Sequence, residues 1–448
     1  MVGRKPSPLM PKKKSALKGR STPRPKKAPA YEEDEEIVST PARQPKEKKK
    51  APRRGIKPSA PQQQLSTEDK RQMRRRRQTR RTIWRIVIVV LVVALVAAAW
   101  VHWDVVAPDK LWTAFQDAVS GSVGSYPVDL SGSEPRRLEQ VEGYTVVLTE
   151  SHLTYLNSDG AEVNRYTCTY AEPLVRTEGK YLLVAEQGGQ RIQLTTRSKV
   201  ELELKTEQKI RTVALNDEGQ FAVLTDGPQG YAVQITVYDK SGKVLYTRNS
   251  NRTVTDVVLS PDGATISAVS VEAVDGTLNT RLEVYSTTSA SPDAQCTYQA
   301  ENELLYRSAY LSDGTLVAIG EGSVVLMNTA DGGVSLYTPD GMHILGYAVG
   351  GDTLSLVLRP YGATAGGTAV VLSSGGVEQS NTEFDGEFRH LSALQERYAL
   401  LTDSNVYAFS ATGLTDILAV SADGRQVVSA EGKIVVMGLN RLEAFVLE

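Results

Sequence analysis

The sequence predicts an all-β fold, a seven- or eight-bladed β-propeller, preceded by one transmembrane α-helix and a disordered N-terminal tail. Three observations carry this prediction. Residues 126–448 repeat a strand–turn–strand unit at roughly the 40-residue spacing of propeller blades. One run, Ile86 to Val101, contains no charged residue. The net charge of −1 is a cancellation: residues 1–85 hold 27 of the 51 Lys and Arg but 8 of the 52 Asp and Glu. Opposite charge in successive segments implies two parts in two environments.

Residues 1–81 are basic and proline-rich. Eleven of the 20 prolines lie in residues 1–61, with basic runs at Lys12–Lys14 and Lys48–Lys50 and an acidic patch at Glu32–Glu36. Large apolar residues are too few to offset chain entropy, so this arm is expected to be disordered. Charge alone offers sequence-independent attraction to nucleic acid, anionic lipid or an acidic protein. Tyr31 is the only aromatic before Trp84, so single-stranded nucleic acid finds no stacking platform. A solvated arm with no specific partner accounts for the composition equally well.

Residues 82–103 read as a signal-anchor helix. From Ile83 to Trp103 a helix spans roughly 31 Å, close to the bilayer hydrocarbon thickness. Trp84, Trp100 and Trp103 flank the apolar run where indole rings anchor at water–lipid interfaces, and Arg85 snorkels to the head groups. Arg74, Arg75, Arg76, Arg77, Arg80 and Arg81 precede the helix, while Asp104, Asp109 and Asp117 follow it. The positive-inside rule therefore places the N-terminus in the cytoplasm and the C-terminal domain outside the plasma membrane. The arginine cluster is expected to bind anionic lipid head groups. A cleaved signal peptide is the competing reading, but a leader of 85 residues before the apolar core is too long for one.

After a connector at 104–125, strand signals take over. Val200 to Leu204 and Ala232 to Tyr238 alternate apolar with polar residues, the period of a half-buried strand. Nine Asp-Gly pairs supply turn chemistry. Val257 to Gly263 leads into Ile266–Val269, Ala309 to Gly314 into Leu316–Ile319, and Leu418 to Gly424 into Gln426–Val428. Blade-like units are expected to begin near residues 138, 173, 211, 254, 306, 343, 387 and 417. A single blade cannot bury both faces of its sheet, whereas a closed ring of blades can. A pair of β-sandwiches is the alternative, and it needs no such period.

Glu172-Pro173-Leu174-Val175 and Tyr181 to Gly189, followed by the Ser260-Pro261-Asp262-Gly263 blade, resemble a bacterial family known as domain of unknown function 5711. The resemblance covers about residues 80–448. It implies a cytoplasmic arm, one anchor helix and a propeller-like exterior, and supplies no chemistry. More distantly, the units are similar to WD-repeat and quinoprotein-like propellers. Residues 126–448 contain no tryptophan, so the Trp-Asp blade ending and its packing are missing.

The chain has no Walker loop, no Gly-x-Gly-x-x-Gly opening a helix, no His-Glu-x-x-His and no Gly-x-Ser-x-Gly. His152, His343 and His390 are isolated, and the arginines are scattered along the sequence. The Asp-Gly aspartates read as turn formers rather than calcium ligands, which must converge in sixes to eights. No catalytic residue, metal site or cofactor is therefore expected. Cys168 and Cys296 either pair as a disulfide or stay two thiols; their different blades favour the latter. The expected function is a membrane-anchored extracytoplasmic binding or scaffold module of the cell envelope, with a protein or peptide partner. The alternatives are an envelope enzyme, such as a glycan hydrolase, and a membrane tether that binds nucleic acid through its tail. A converging Arg/Asp/Glu cluster in the funnel favours the enzyme.

Overall fold

A computed structural model describes residues 124–447 except Ala290 and Glu431. Residues 1–81 with the arginine cluster, the segment 82–103 expected to span the membrane, and most of residues 104–125 lie outside the described residues. Among the described residues, no helix is long and apolar enough to cross a membrane.

The chain from Val128 to Val446 forms eight four-stranded antiparallel sheets, which settles the blade count at eight. Each of blades 1 to 7 is a meander of four consecutive strands. Their innermost strands are Pro135–Val141, Pro173–Glu178, Ile210–Leu215, Thr253–Leu259, Leu305–Tyr310, Met342–Gly350 and Phe388–Leu394. Seven of the eight expected starts thus fall within three residues of a strand start. The eighth does not. Residue 417 lies in the outermost strand of blade 7, Gly413–Ala419, and blade 8 begins with Gln426–Ala430. Asp423-Gly424 bridges two blades and was misread as a hairpin because its flanks have the same apolar pattern.

Blade 8 is built from both ends of the domain. Its first three strands are C-terminal, and Val128–Asp129 supplies the fourth, with Val128 opposite Leu442 and Asp129 opposite Arg441. Leu130 extends the pairing by donating its N–H to Asn440 O at 2.7 Å. This joint closes the ring.

The core is divided among the blade interfaces. Second strands such as Tyr181–Glu186 and Phe221–Asp226 are buried on both faces, so they read as continuous apolar runs. Outermost strands such as Val200–Lys205 keep the alternation visible in sequence. Eight apolar clusters result, each shared by two adjacent blades, and one joins blade 8 to blade 1 through Leu138, Val147, Val435 and Leu442. An open stack of eight blades has seven interfaces; the eighth cluster excludes the sandwich alternative.

Tyrosine and phenylalanine supply the large aromatic packing between strands of this tryptophan-free domain. Phe221 stacks on Tyr238 and Tyr398 on Phe409. Three tyrosine hydroxyls also hydrogen-bond a threonine of the neighbouring blade: Tyr155 with Thr195 at 2.9 Å, Tyr310 with Thr265 at 3.2 Å, and Tyr398 with Thr353 at 2.7 Å. A buried phenol needs such a partner, and here the partner lies across the interface.

Most Asp-Gly pairs form turns or bends between strands, at no single blade position, while Asp226 ends the strand Phe221–Asp226. Asp262-Gly263 and Asp313-Gly314 join an innermost to a second strand, whereas Asp340-Gly341 and Asp385-Gly386 connect blades. Asp262 accepts the Ala264 N–H and the Ser260 hydroxyl, so its carboxylate is spent within its own turn. Gly263 and Gly314 have φ of +66° and +86°, which a side chain would strain.

Cys168 and Cys296 are free thiols. Cys168 is buried at the interface of blades 1 and 2, while Cys296 lies on Cys296–Glu301, the outermost strand of blade 4. Burial raises both thiols, Cys168 to about 11, which favours their protonated form.

Candidate functional site

The inner strands enclose a central cavity of about 920 Å³ lined by blades 1 to 6. An inner strand pairs with a second strand on one side only, so N–H groups on its other edge need another acceptor. Six of these strands carry a bulge in their first half, at Arg136, Arg211, Thr255, Tyr306, Leu345 and Arg389. The next residues are Arg137, Thr212, Asp256, Arg307, Gly346 and His390.

Three side chains bridge neighbouring inner strands. Asp256 accepts the Ser308 N–H of blade 5 at 2.7 Å and its hydroxyl at 3.1 Å. His390 Nδ1 accepts the Val427 N–H at 3.4 Å, and Gln426 Oε1 accepts the Leu138 N–H at 2.7 Å. Burial, aided by the Arg137 charge, pushes His390 down to about 4, so its ring stays neutral and able to accept. Burial also raises Asp256, against the Ser308 hydrogen bonds and the Arg307 charge 3.9 Å away.

These contacts give a stability prediction. Asp256→Ala leaves the buried Ser308 N–H without its acceptor and should cost about 1–3 kcal/mol. Asp256→Asn keeps one acceptor oxygen and should cost less than half of that. Urea unfolding of both variants checks the order; equal losses would show that the acceptor is not what matters.

Arginine is a donor only and cannot make this bridge. Arg137 and Arg307 occupy the bridging position yet face the cavity, joined by Arg176 of blade 2. The three arginines are scattered in sequence but share one channel. Glu139, Glu178, Asp256 and Tyr347 line it too. Arg176 lies within electrostatic reach of Glu139 from blade 1 and of Asp256 and Tyr347 from blades 4 and 6, so its charge acts across the channel. Among the described residues, neither Arg137 nor Arg176 meets a carboxylate at ion-pair distance.

Desolvation raises Glu139 and Glu178 to about 7. Arg137 and Arg176 partly offset it for Glu139, while Asp217 adds to it for Glu178. Glu178 is exposed to the cavity, and the protein mass around that cavity is the cause of its shift. A carboxyl raised from its ordinary value near 4.5 binds its proton more tightly folded than unfolded. Its folded-state penalty is absent below pH 4.5, grows as pH rises to 7, and is complete above. Glu139→Gln should therefore match the wild type at pH 4.5 and be more stable at pH 8, by about 1–2 kcal/mol after allowing for channel water. Denaturant unfolding at the two pH values checks this; a variant less stable at pH 8 would show that the ionised carboxylate is stabilised by its arginines.

The sequence reading missed this site because its arginines and carboxylates come from blades far apart in the chain. A signal existed. Once blades are aligned on their inner strands, the residue after the bulge is a channel position, and arginine there stands out. Among the described residues, the other two histidines lie outside the cavity lining: His343 meets the Tyr361 ring edge-on and His152 hydrogen-bonds Ser151. The interface tryptophans and the basic cluster expected at the membrane lie outside the described residues.

The family described as "Family of unknown function (DUF5711)" matches residues 123–443. No curated protein matches the sequence. Solved structures with a similar fold include BamB from Moraxella catarrhalis, at 9% identity and TM-score 0.44, covering 71% of this chain and 99% of that one. The Pan2 WD40 domain of Neurospora crassa follows at 8% identity and TM-score 0.43, covering 73% and 96%. Kuenenia stuttgartiensis hydrazine synthase matches at 12% identity and TM-score 0.43, covering 72% and 98%.

Proposed function

The chain belongs to DUF5711, a family of unknown function, and we propose that it is a membrane-anchored binding module whose ligand enters the central channel of the propeller. The observation that carries this reading is the cavity of about 920 Å³ into which blades 1, 2 and 5 direct Arg137, Arg176 and Arg307. A concave site with a few convergent polar groups is the ordinary form of a ligand pocket. Residues 82–103 would hold the module in the plasma membrane, with the propeller outside and the arginine cluster of residues 74–81 on anionic lipid. Residues 124–448 carry 41 Asp and Glu against 23 Lys and Arg, which disfavours a polyanionic partner and favours a protein or peptide.

Crosslinking the full-length protein in its own cells, followed by mass spectrometry, tests the module. The partner captured by the wild type should be lost from the triple variant Arg137→Gln/Arg176→Gln/Arg307→Gln. A partner retained by the triple variant places the site elsewhere. Protease added to wall-stripped cells tests the topology: the propeller side should be cut and residues 1–81 protected.

A second reading, an envelope hydrolase, is favoured by the arginines, aspartates and glutamates that converge in the channel, the cluster the sequence analysis named as the mark of an enzyme. Glu139 and Glu178 share the cavity with the arginines, and both carboxyls titrate near neutrality, the range a general acid needs. Release of products from cell-wall glycan by the wild type, lost in Glu178→Gln, would establish it over simple binding.

A further inference from the structure

Resting on the channel-binding reading, we propose that the channel holds its ligand by a carboxylate group, taken by Arg307 and Arg176 with Arg137 beside them. Arg307 is the best placed. Its side chain is 48% exposed, and its acidic neighbour Asp256, 3.9 Å away, is already engaged by Ser308. Among the described residues its side chain otherwise donates only a long hydrogen bond, from Nη1 to Tyr306 O at 3.5 Å. Arg176 gives one bond to its neighbouring carbonyl, Val175 O, at 2.9 Å. A guanidinium has five donors in a planar fork, so both arginines keep donors for a planar two-oxygen acceptor.

Charge selects the class of anion. The cavity also holds Glu139, Glu178, Asp217 and Asp256, and the surrounding domain is strongly acidic. A dianionic phosphate or a polyanion would face those carboxylates at every approach. A monoanion needs to match one or two arginines. The Tyr347 phenol, raised to about 12 by burial and by the Asp256 charge, stays protonated and adds a neutral donor to the same wall. Leu174, Val258 and Val349 give the cavity apolar lining beside the arginines, suited to the side chains of a short peptide.

The test uses full-length protein in detergent micelles and ligand-observed NMR. The probes are pooled acetyl-tetrapeptides with free C-terminal carboxylates, the same pool as C-terminal amides, glucuronate, and inorganic phosphate. The free-acid pool should bind. The amides should bind at least tenfold more weakly, and phosphate should not compete. Arg307→Gln and Arg176→Gln should each weaken the free-acid pool at least tenfold. Arg307→Lys, which keeps the charge and loses the fork, should recover only a small part of the loss. Thermal unfolding confirms that each variant remains folded. Glucuronate binding as tight as the peptide acids would support the carboxylate and identify a sugar acid as its source. Equal binding of acids and amides, lost in both arginine variants, would overturn the carboxylate but keep the channel. Binding that ignores both substitutions would overturn the channel reading itself. Tighter binding of phosphate, or binding of no probe at millimolar concentration, would overturn the proposal.

Discussion

Deleting residues 126–130 is expected to abolish the stable closed ring. These residues provide the outermost strand of blade 8, and Tyr126, Val128 and Leu130 pack on the cluster that joins blade 8 to blade 1. Three half-buried side chains and the pairing to Arg441 and Leu442 vanish together. Truncating a fully buried side chain costs about 2–5 kcal/mol and a half-buried one less, so the three losses and the lost strand pairing together reach the lower part of the 5–15 kcal/mol stability of a typical domain. The edge at Arg441–Val446 would then lie open to pairing with a second molecule. Two measurements check the expectation. Urea unfolding should become broad and shift to low denaturant, and light scattering should report association. A deletion variant that stays monomeric and unfolds at the wild-type midpoint would show that the ring does not depend on this joint.

The second large effect is expected at Tyr155, fully buried between blades 1 and 2 and bonded to Thr195. Tyr155→Ala removes a ring packed among Leu153, Leu182 and Val184 and should cost about 3–5 kcal/mol. Tyr155→Phe removes only the hydroxyl. Thr195 Oγ1 can still donate to Leu182 O at 3.3 Å, so this loss should be near 1 kcal/mol. The gap between the variants separates packing from hydrogen bonding at a blade interface. Equal losses in the two would mean that the hydroxyl bridge, rather than the ring, holds the blades together.

Both predictions concern interfaces between blades, and these divide what was legible in the sequence from what was not. The strands were legible because their periodicity is local. Outermost strands alternate, second strands are solid apolar runs, and the spacing of the units located seven of eight blades. The start of the last blade was misplaced because the apolar flanks of Asp423-Gly424 imitate a hairpin, and its fourth strand went unseen because it precedes the first blade in the chain. No local pattern announces that Val128 pairs with Leu442.

The channel was hidden for the same reason. Arg137, Arg176 and Arg307 are separated by up to 170 residues, and only ring closure brings them to one cavity. Their environment is likewise a tertiary product. Glu139 and Glu178 look like ordinary surface acids in sequence, and enclosure by neighbouring blades raises both to about 7. His390 looked isolated, yet it closes the gap to Val427 of blade 8.

By itself, then, the sequence determined the strand content, the repeat and the charge contrast between the two segments, because these follow from composition and short-range period. The tertiary structure alone decided the number of blades, the joint that closes them, the tyrosine–threonine bridges between blades, and the arginine-lined channel. Each of those depends on which distant residues meet, and that is fixed by burying both faces of every sheet at once.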